Sequence, residues 1–397
     1  MNNKYANRVK GMGDGEIGEF LRLVGRGDII SFAGGIPAED IFPIEELKSL
    51  INQLVMEKGG KLFQYGSTEG SNQLKDFIID FMQQRMIKTK REELLITTGS
   101  QQALDLISKI FLNPGDPVLV EKPAYVGGLG AFKSYQADIR GIELGEDGPD
   151  ITGLEEELAR IAGQGRAVKL IYLVPDFSNP SGIRISLEKR KRILELANRY
   201  DFYLIEDTPY SELNYYDQRL PFLKELDLTE RVIFLGTFSK FFVPGLRIGW
   251  VSANQEIIKI LGRAKQSTDL ASNSLGQELI ARAGKQGLID QQIERIKPYY
   301  RLRLEAMGTA LGKYFPNWTS WSQPAGGFFY WVKLPVRIKS RDLLLRAIEN
   351  KVAFVSGNSF FARAEDGNSF IRLSFSNSSP AEIEEGIKLL GKIIKDY

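Results

Sequence analysis

The chain of 397 residues contains no histidine and no cysteine. These absences exclude a Ser-His-Asp triad, a Cys-His catalytic pair, disulfide bonds and the ordinary protein sites for zinc and haem, so we predict no metal centre. Acid-base chemistry would have to come from lysine, tyrosine, aspartate or glutamate, or from a bound cofactor. If the chain is an enzyme, we therefore expect it to borrow its electrophile.

An excess of charge of either sign is also missing. The 52 basic side chains nearly balance the 50 acidic ones, which leaves a formal net charge of +2. This balance, without a basic stripe among aromatic residues, argues against a nucleic acid partner. No run of about 20 apolar residues could span a membrane, and residues 1–20 lack the apolar core of a signal peptide. These features predict a cytoplasmic protein.

Hydrophobic patterning predicts an α/β fold. From about residue 94 to residue 251, short apolar runs alternate with helical stretches, as in a mostly parallel sheet wrapped by helices. Continuous apolar runs such as LIYLV suit strands that are buried on both faces. A long charged helix around residues 290–315, which Pro298 could bend, comes before three short strand-like runs. This later part predicts a smaller α+β domain.

The same patterns suggest three parts of the chain. We expect residues 45–295 to form a large domain and residues 296–397 to form a small one. Residues 1–44 have too few apolar side chains for a core of their own, so we expect them to pack with the small domain and the active site.

Two segments carry groups suited to a phosphate. In LLITTGSQQALD, a strand turns at Gly99 into an amphipathic helix whose first amides lie around Ser100 and Gln101. Orphan amides and the helix dipole attract anions there, although Ser100 could simply be an N-cap. In VIFLGTFSKFFVPGLRIGW, an apolar strand is followed by further hydroxyl and cationic groups, namely Thr237, Ser239, Lys240 and Arg247.

Lys240 has a second possible use. A lysine at the carboxyl end of an apolar strand is unfavourable unless it is paired or functional, and desolvation beside other cations would lower its pKa. Its neutral amine could then attack a carbonyl group. The alternative is an ordinary surface lysine in a polar turn.

Polar and aromatic residues follow three other predicted strands. Asp207 could keep a pyridine nitrogen protonated, and Tyr210 could bond a ring oxygen, although an Asp after a strand often caps a helix. Asn179 could donate to the same oxygen, or simply form an Asn-Pro turn. Tyr125 could stack on a flat heterocycle or be a structural aromatic residue. Because the carboxyl ends of parallel strands share one edge, the set predicts a pyridoxal 5′-phosphate (PLP) pocket.

The motifs TTGSQQALD, SNPSG, ED followed by TPY, and SKFFVPGLRIGW resemble, in order and spacing, those of the fold type I, class I/II PLP-dependent aminotransferases. The runs SFAGGIPAEDIFP and FQYGSTEG, and the short interval between SK and PGLR, resemble the 2-aminoadipate, kynurenine and broad-specificity subgroup. The resemblance covers nearly the whole chain. It implies a large domain with a mostly parallel mixed sheet wrapped by helices, and a smaller α+β domain.

The resemblance also implies a role for each cofactor-binding residue. Lys240 would carry PLP as a Schiff base and shuttle the proton, while Asp207 would pair with the pyridinium nitrogen. Asn179 and Tyr210 would donate to the ring oxygen, and the ring of Tyr125 would stack on the cofactor. The phosphate would be held by Ser100, Gln101, Thr237, Ser239 and Arg247.

The substrate and a second subunit complete the implied site. Arg372, in SFIRLSFS, matches the family arginine that binds the substrate α-carboxylate, which suits a bidentate guanidinium. Without the resemblance, it could be a surface arginine. Asn179 would also contact the substrate, and Gly34 and Gly35 would let the backbone approach its carboxylate. Tyr65 would reach in from the second protomer of a homodimer.

The implied activity is ping-pong transamination between an amino acid and a 2-oxo acid such as 2-oxoglutarate. Another PLP reaction (elimination, racemisation or decarboxylation) and a non-catalytic PLP-binding sensor remain alternatives. Where 2-aminoadipate enzymes carry Ser and Arg, this chain has Gly15 and Gly18, although Arg22 is near. We therefore expect a roomier pocket that accepts aromatic or broadly hydrophobic side chains as well as 2-aminoadipate.

Overall fold

The computed structural model describes residues 4–11, 29–216 and 219–397. Its strands form one large sheet and two small ones. In chain order the strands are β1 (Ile30–Ser31), β2 (Leu94–Thr97), β3 (Pro117–Lys122), β4 (Asp138–Gly145), β5 (Gly148–Pro149), β6 (Leu170–Leu173), β7 (Tyr203–Asp207), β8 (Val232–Thr237), β9 (Gly249–Ser252), β10 (Ser320–Trp321), β11 (Phe329–Lys333), β12 (Val352–Ala353), β13 (Val355–Ser356) and β14 (Phe370–Ser374).

The large sheet has the order β2-β9-β8-β7-β6-β3-β4-β5. Neighbouring strands from β8 to β4 are parallel, whereas β9 runs antiparallel to both of its neighbours. Every residue of β2, β6, β8 and β9 is buried, as expected for apolar strands covered on both faces. The mostly parallel mixed sheet predicted from the sequence is confirmed.

Helices flank these sheets. Local sequence explains several of their ends: Ser71 caps the second helix through Leu74 N at 3.2 Å, and Ser379 forms a capping box with Glu382 on the last one. In the described ranges, no helix is long and apolar enough to cross a membrane. The helices are α1 (Ile44–Lys58), α2 (Asn72–Gln84), α3 (Gly99–Phe111), α4 (Val126–Ser134), α5 (Ile151–Gly163), α6 (Leu187–Tyr200), α7 (Leu223–Leu226), α8 (Gln255–Gln266), α9 (Ser274–Lys285), α10 (Leu288–Tyr314), α11 (Ser340–Glu349) and α12 (Pro380–Lys395).

The C-terminal part is the smaller α+β unit expected from the sequence. Its antiparallel sheet has the order β10-β11-β14-β13, and α12 packs along α10. β1 pairs in parallel with β12, which joins residues 30–31 to this unit. Helix α10 continues through Pro298 and across the predicted domain boundary at residue 295. The boundaries at residues 44 and 295 stay predictions.

Candidate active site

A cavity lies at the carboxyl edge of the large sheet, where β3, β6, β7 and β8 end. Ten residues predicted from the sequence line it together, and three lining residues were not predicted: Tyr172, Val174 and Pro209. The ten predicted residues are Ser100, Gln101, Tyr125, Asn179, Asp207, Tyr210, Thr237, Ser239, Lys240 and Arg247.

At one end of the cavity, α3 begins at Gly99 with a left-handed φ of +77°. Its N-cap, Thr98, makes no side-chain cap hydrogen bond, so the first amides of the helix are not capped from within. A Cβ atom on Gly99 would lie 2.6 Å from Nη2 of Arg247. Only glycine therefore allows both the turn and the close approach of the guanidinium.

Hydroxyl groups lie beside that guanidinium. Thr237 Oγ1 donates to Ser239 Oγ at 2.9 Å, and Arg247 Nη1 donates to the same Ser239 oxygen at 3.4 Å. Two hydroxyls, one cation and the start of a helix therefore converge. This donor set fits the dianionic phosphate of PLP.

Lys240 lies on the turn after β8 and lines the cavity. Its Nζ donates to the carbonyl oxygen of Gly35 at 2.8 Å. Burial, reinforced by the positive charges of Arg372 and Arg247, lowers the pKa of Lys240 to about 8, although Asp207 acts in the opposite direction. The amine is thus neutral far more often than an exposed lysine, as a nucleophile or base requires.

Asp207 is the last residue of β7 and is buried. Tyr172 OH donates to its Oδ2 at 2.8 Å, whereas its Oδ1 has no hydrogen-bond partner within the described part of the chain. Burial raises the pKa of Asp207 to about 7, while the Tyr172 bond and the Lys240 charge hold it lower than burial alone would. Asp207 lines the cavity, and its unpaired buried carboxylate oxygen fits a protonated pyridine nitrogen.

Sequence reasoning missed Tyr172, although a signal was present. Tyr172 and Leu170 share one face of β6, and a buried phenol needs a polar partner. The parallel register places Tyr172 opposite Ile205, two residues before Asp207. This register comes from the pairing of distant strands, so the partner could not be read from the sequence.

Asn179 and Tyr210 come together from the loops after β6 and β7. A hydrogen bond links the Asn179 side chain to the buried Tyr210 hydroxyl, whose pKa burial raises. Tyr125 comes immediately before α4, and its ring closes over Gly127, whose carbonyl accepts a hydrogen bond from Gln101 Nε2 at 2.9 Å. These groups fit a flat ring with one oxygen substituent.

Arg372 lies on β14, between β11 and β13, and its side chain is buried. Its Nη1 donates to Asn179 Oδ1 at 3.0 Å and its Nη2 donates to the carbonyl oxygen of Ala33. The guanidinium carbon is 4.5 Å from the Phe329 ring centroid and 5.2 Å from that of Phe360. Burial lowers the pKa of Arg372 to about 10.

The backbone around Gly34 and Gly35 runs past both cationic groups. A Cβ atom on Gly35 would lie 3.0 Å from the Phe329 ring and 3.7 Å from Arg372 Nη1. On Gly34 it would meet only Ile36, at 3.7 Å. Space therefore favours glycine at position 35 but not at position 34.

Some predicted residues are not in this cavity. Tyr65 is 81% exposed and lines a separate surface cavity with Lys58 and Ser274. Its expected role across a subunit interface stays a prediction. Gly15, Gly18 and Arg22, on which the predicted side-chain specificity depends, lie outside the described residues.

The family model for aminotransferase class I and II matches residues 28–390. The chain belongs to this family. Its cofactor is therefore PLP, as the sequence predicted, and the enzyme class is confirmed. The donor set at the start of α3, the unpaired Asp207 oxygen and the amine of Lys240 together fit that cofactor.

Similar proteins place this aminotransferase in the subgroup of aromatic, 2-aminoadipate and kynurenine aminotransferases. Aromatic-amino-acid aminotransferase 1 of Thermococcus litoralis is 39% identical over 99% of this chain and 94% of its own length. The structure of Pyrococcus horikoshii kynurenine aminotransferase, with PMP, KYN as substrates and KYA as products, matches at 40% identity and a TM-score of 0.95, over 99% and 97% of the two chains. An α-aminoadipate aminotransferase from Thermus thermophilus, complexed with N-(5′-phosphopyridoxyl)-L-leucine, matches at 37% identity and a TM-score of 0.91, again over 99% and 97%.

Proposed function

We propose that this aminotransferase moves the α-amino group of an aromatic, 2-aminoadipate-like or broadly hydrophobic amino acid to a 2-oxo acid such as 2-oxoglutarate. One observation carries the proposal. Lys240 Nζ and Arg372 Nη2 both donate to the same short stretch of backbone, at the carbonyls of Gly35 and Ala33. An amine that lines the PLP cavity and a buried guanidinium therefore contact neighbouring carbonyls of one backbone segment.

Lys240 is the proposed attachment point and proton carrier. Bound PLP supplies an electron sink for the electron pair left when the substrate loses its α-proton. Lys240 would hold the cofactor, and its neutral Nζ would remove the proton from the substrate α-carbon. A pKa of about 8 leaves enough neutral amine for this step near neutral pH.

Asp207, Asn179 and Tyr210 are the proposed ring contacts. The free Oδ1 of Asp207 would accept from the pyridinium nitrogen, while Tyr172 donates to the other carboxylate oxygen. Asn179 and Tyr210, which are hydrogen-bonded to each other, would donate to the ring oxygen. These contacts would keep positive charge on the ring, which is the property that makes PLP an electron sink.

Arg372 is the proposed anchor for the substrate α-carboxylate. Its Nε has no hydrogen-bond partner within the described residues, so one donor remains for a ligand. The aromatic rings of Phe329 and Phe360 exclude water around the guanidinium, which strengthens its attraction for a carboxylate. Asn179, bonded to Arg372, shares this contact.

The substrate range rests on two supports. The relatives named above act, by their names, on aromatic amino acids, kynurenine and α-aminoadipate. Gly15 and Gly18 lack the Ser and Arg side chains that would favour an acidic substrate at these positions. We therefore propose that aromatic and large hydrophobic amino acids react at least as well as 2-aminoadipate.

We further propose a homodimer, with Tyr65 of each protomer completing the other's active site. Met56, Phe63 and Tyr65 are exposed to 86%, 68% and 81%, although all three are large apolar or aromatic residues close together in the chain. Such exposure is typical of a surface covered by another protein. A second copy of the chain is the partner we propose.

An absorption experiment tests the proposed reaction. The PLP-loaded protein should show a visible cofactor band that disappears when an aromatic amino acid is added, with release of pyridoxamine phosphate and one 2-oxo acid. Lys240→Ala should not convert the band. A band that no amino acid changes would favour the PLP-binding sensor, and conversion without pyridoxamine phosphate would favour elimination, racemisation or decarboxylation.

A substrate panel tests the range. Phenylalanine, tyrosine, tryptophan, kynurenine, methionine, leucine and 2-aminoadipate would be compared by kcat/KM with 2-oxoglutarate as acceptor. We expect at least one aromatic substrate to match 2-aminoadipate. A panel in which only 2-aminoadipate reacts would contradict the proposed range but not the proposed reaction.

A further inference from the structure

Glu121 is a buried carboxyl group that the reaction described above does not use. It lies near the end of β3 and is 2% exposed. Its Oε2 accepts a hydrogen bond from Ser178 Oγ at 2.9 Å, and its carboxyl group also accepts one from the backbone of Val174. Burial, with the negative charge of Asp207 nearby, raises the pKa of Glu121 to about 8. Burying such a group is unfavourable unless its contacts compensate.

The contacts of Glu121 fasten the loop that leads to Asn179. Val174 is the first residue of this loop, which follows β6, and Ser178 lies four residues further along it. Between them, Phe177 has a φ of +55°, in the left-handed region that a bulky residue rarely adopts. A conformation of this kind persists only when neighbouring structure holds it. Glu121, from the adjacent strand, supplies part of that support.

Asn179 depends on the exact course of this loop. Its Oδ1 accepts from Arg372 Nη1 at 3.0 Å, and its side chain also bonds the Tyr210 hydroxyl. Both partners are buried, so a small displacement of the turn would leave buried polar groups unpaired. Ser178, the residue immediately before Asn179, is therefore well placed to control its amide.

We propose that Glu121, acting through Ser178, is a positioning residue that sets the orientation of the Asn179 amide in the active site. This inference rests on the proposed function for the role given to Asn179. Glu121 does not line the cavity that Lys240 enters, so it acts without touching the substrate or the cofactor.

Ser178→Ala tests the link with the smallest change. The PLP dissociation constant, from absorbance titration of the cofactor-free protein, and the KM for an aromatic amino acid should each rise about fivefold to tenfold, as for the loss of one hydrogen bond. Ser181→Ala is the matched control, because Ser181 is buried in the same turn but its Oγ accepts from Ile183 N. In Ser181→Ala, the PLP dissociation constant and the KM should both stay within about twofold of the parent values.

A double-mutant cycle separates positioning from a general loss of stability. In an Asn179→Ala background, Ser178→Ala should add little to either constant, because its effect passes through Asn179. Glu121→Gln keeps an oxygen acceptor and should stay within about threefold of the parent, whereas Glu121→Leu should match Ser178→Ala. If Glu121→Leu does not fold, the serine variants still decide the matter.

The proposal is overturned if Ser178→Ala leaves both constants unchanged, or if its effect is undiminished in the Asn179→Ala background. Failure of the proposed function would look different. The parent protein would bind PLP but transfer no amino group, and the PLP dissociation constants would still report on Glu121 and Ser178.

Discussion

Individual residues take over the chemistry that histidine and cysteine perform in many enzymes. Lys240 is both nucleophile and base in the proposed mechanism because burial and two guanidinium groups lower its pKa to about 8. At pH 7, about one amine in ten would then be neutral, compared with fewer than about one in a thousand for an ordinary lysine. A lysine in a solvated turn would be almost entirely protonated at pH 7 and could not act as a nucleophile or base.

This pKa predicts how cofactor uptake depends on pH. The neutral amine reacts with PLP, so the rate of incorporation into the cofactor-free protein should rise with pH up to about 8 and then level off. Stopped-flow absorbance would measure this rate. The control is the reaction of PLP with an exposed lysine analogue, whose rate should keep rising beyond about pH 10. A protein rate that also keeps rising to pH 10 would contradict the lowered pKa.

Tyr172→Phe should weaken the hold on Asp207. The phenol donates to the charged carboxylate, so its loss should raise the pKa of Asp207 further above its usual value. We expect kcat to fall about tenfold, and the acidic limb of the kcat profile to move to higher pH. Tyr203→Phe, which removes a hydroxyl elsewhere in the same sheet, is the control. An unmoved acidic limb would show that Tyr172 does not act on Asp207.

At the scale of elements, the start of α3 combines a left-handed backbone conformation at Gly99 with the proposed phosphate site. Gly99→Ala would place a methyl group 2.6 Å from Arg247 and force a left-handed φ on alanine. The PLP dissociation constant should rise at least about tenfold, because the guanidinium must move away from the helix terminus. Absorbance titration would measure this change.

Gly115→Ala is the matched control for that variant. Gly115 also has a left-handed φ, of +85°, but its Cβ would meet no atom within 4 Å. We expect a loss of about 1 kcal/mol in the free energy of unfolding and no change in PLP binding. Equal effects of the two variants on PLP binding would mean that backbone strain, and not contact with Arg247, causes the change.

Most elements could be predicted because their signals are local. Helix α6 coincides with the run LEKRKRILELANRY, and β6 lies within the apolar run LIYLV. The reversal of β9 within the sheet was not predicted, because strand direction depends on which distant strand provides hydrogen bonds. The pairing of β1 with β12 likewise joins residues more than 300 positions apart.

At the scale of the whole molecule, the site gathers groups from both structural units. Arg372 belongs to the small sheet and Asn179 to a loop of the large one, yet they are hydrogen-bonded. Gly35, bonded to Lys240, belongs to the segment between β1 and α1. A movement of the small unit would therefore change the proposed substrate-binding groups while leaving the proposed phosphate-binding groups in place.

Subunit mixing tests the proposed homodimer. Lys240→Ala and Tyr65→Ala proteins should each be weakly active, but when they are refolded together, half of the dimers would be hybrids with one intact site. Activity should then recover to about a quarter of the parental value. Mixing Tyr65→Ala with the Lys240→Ala/Tyr65→Ala double variant is the control and should recover nothing. A dimer that forms but shows no recovery would exclude Tyr65 from the partner's site.

The sequence by itself determined which groups are available and where most elements lie. The absence of histidine and cysteine, the apolar strands and the polar residues after them follow from the order of residues along the chain. Only the tertiary structure decided that Tyr172 bonds Asp207, that Glu121 holds Ser178 and that Arg372 meets Asn179. These contacts form between segments that are distant in the chain, and the pKa shifts arise because those segments together exclude water. Neither can be read from a local stretch of the sequence.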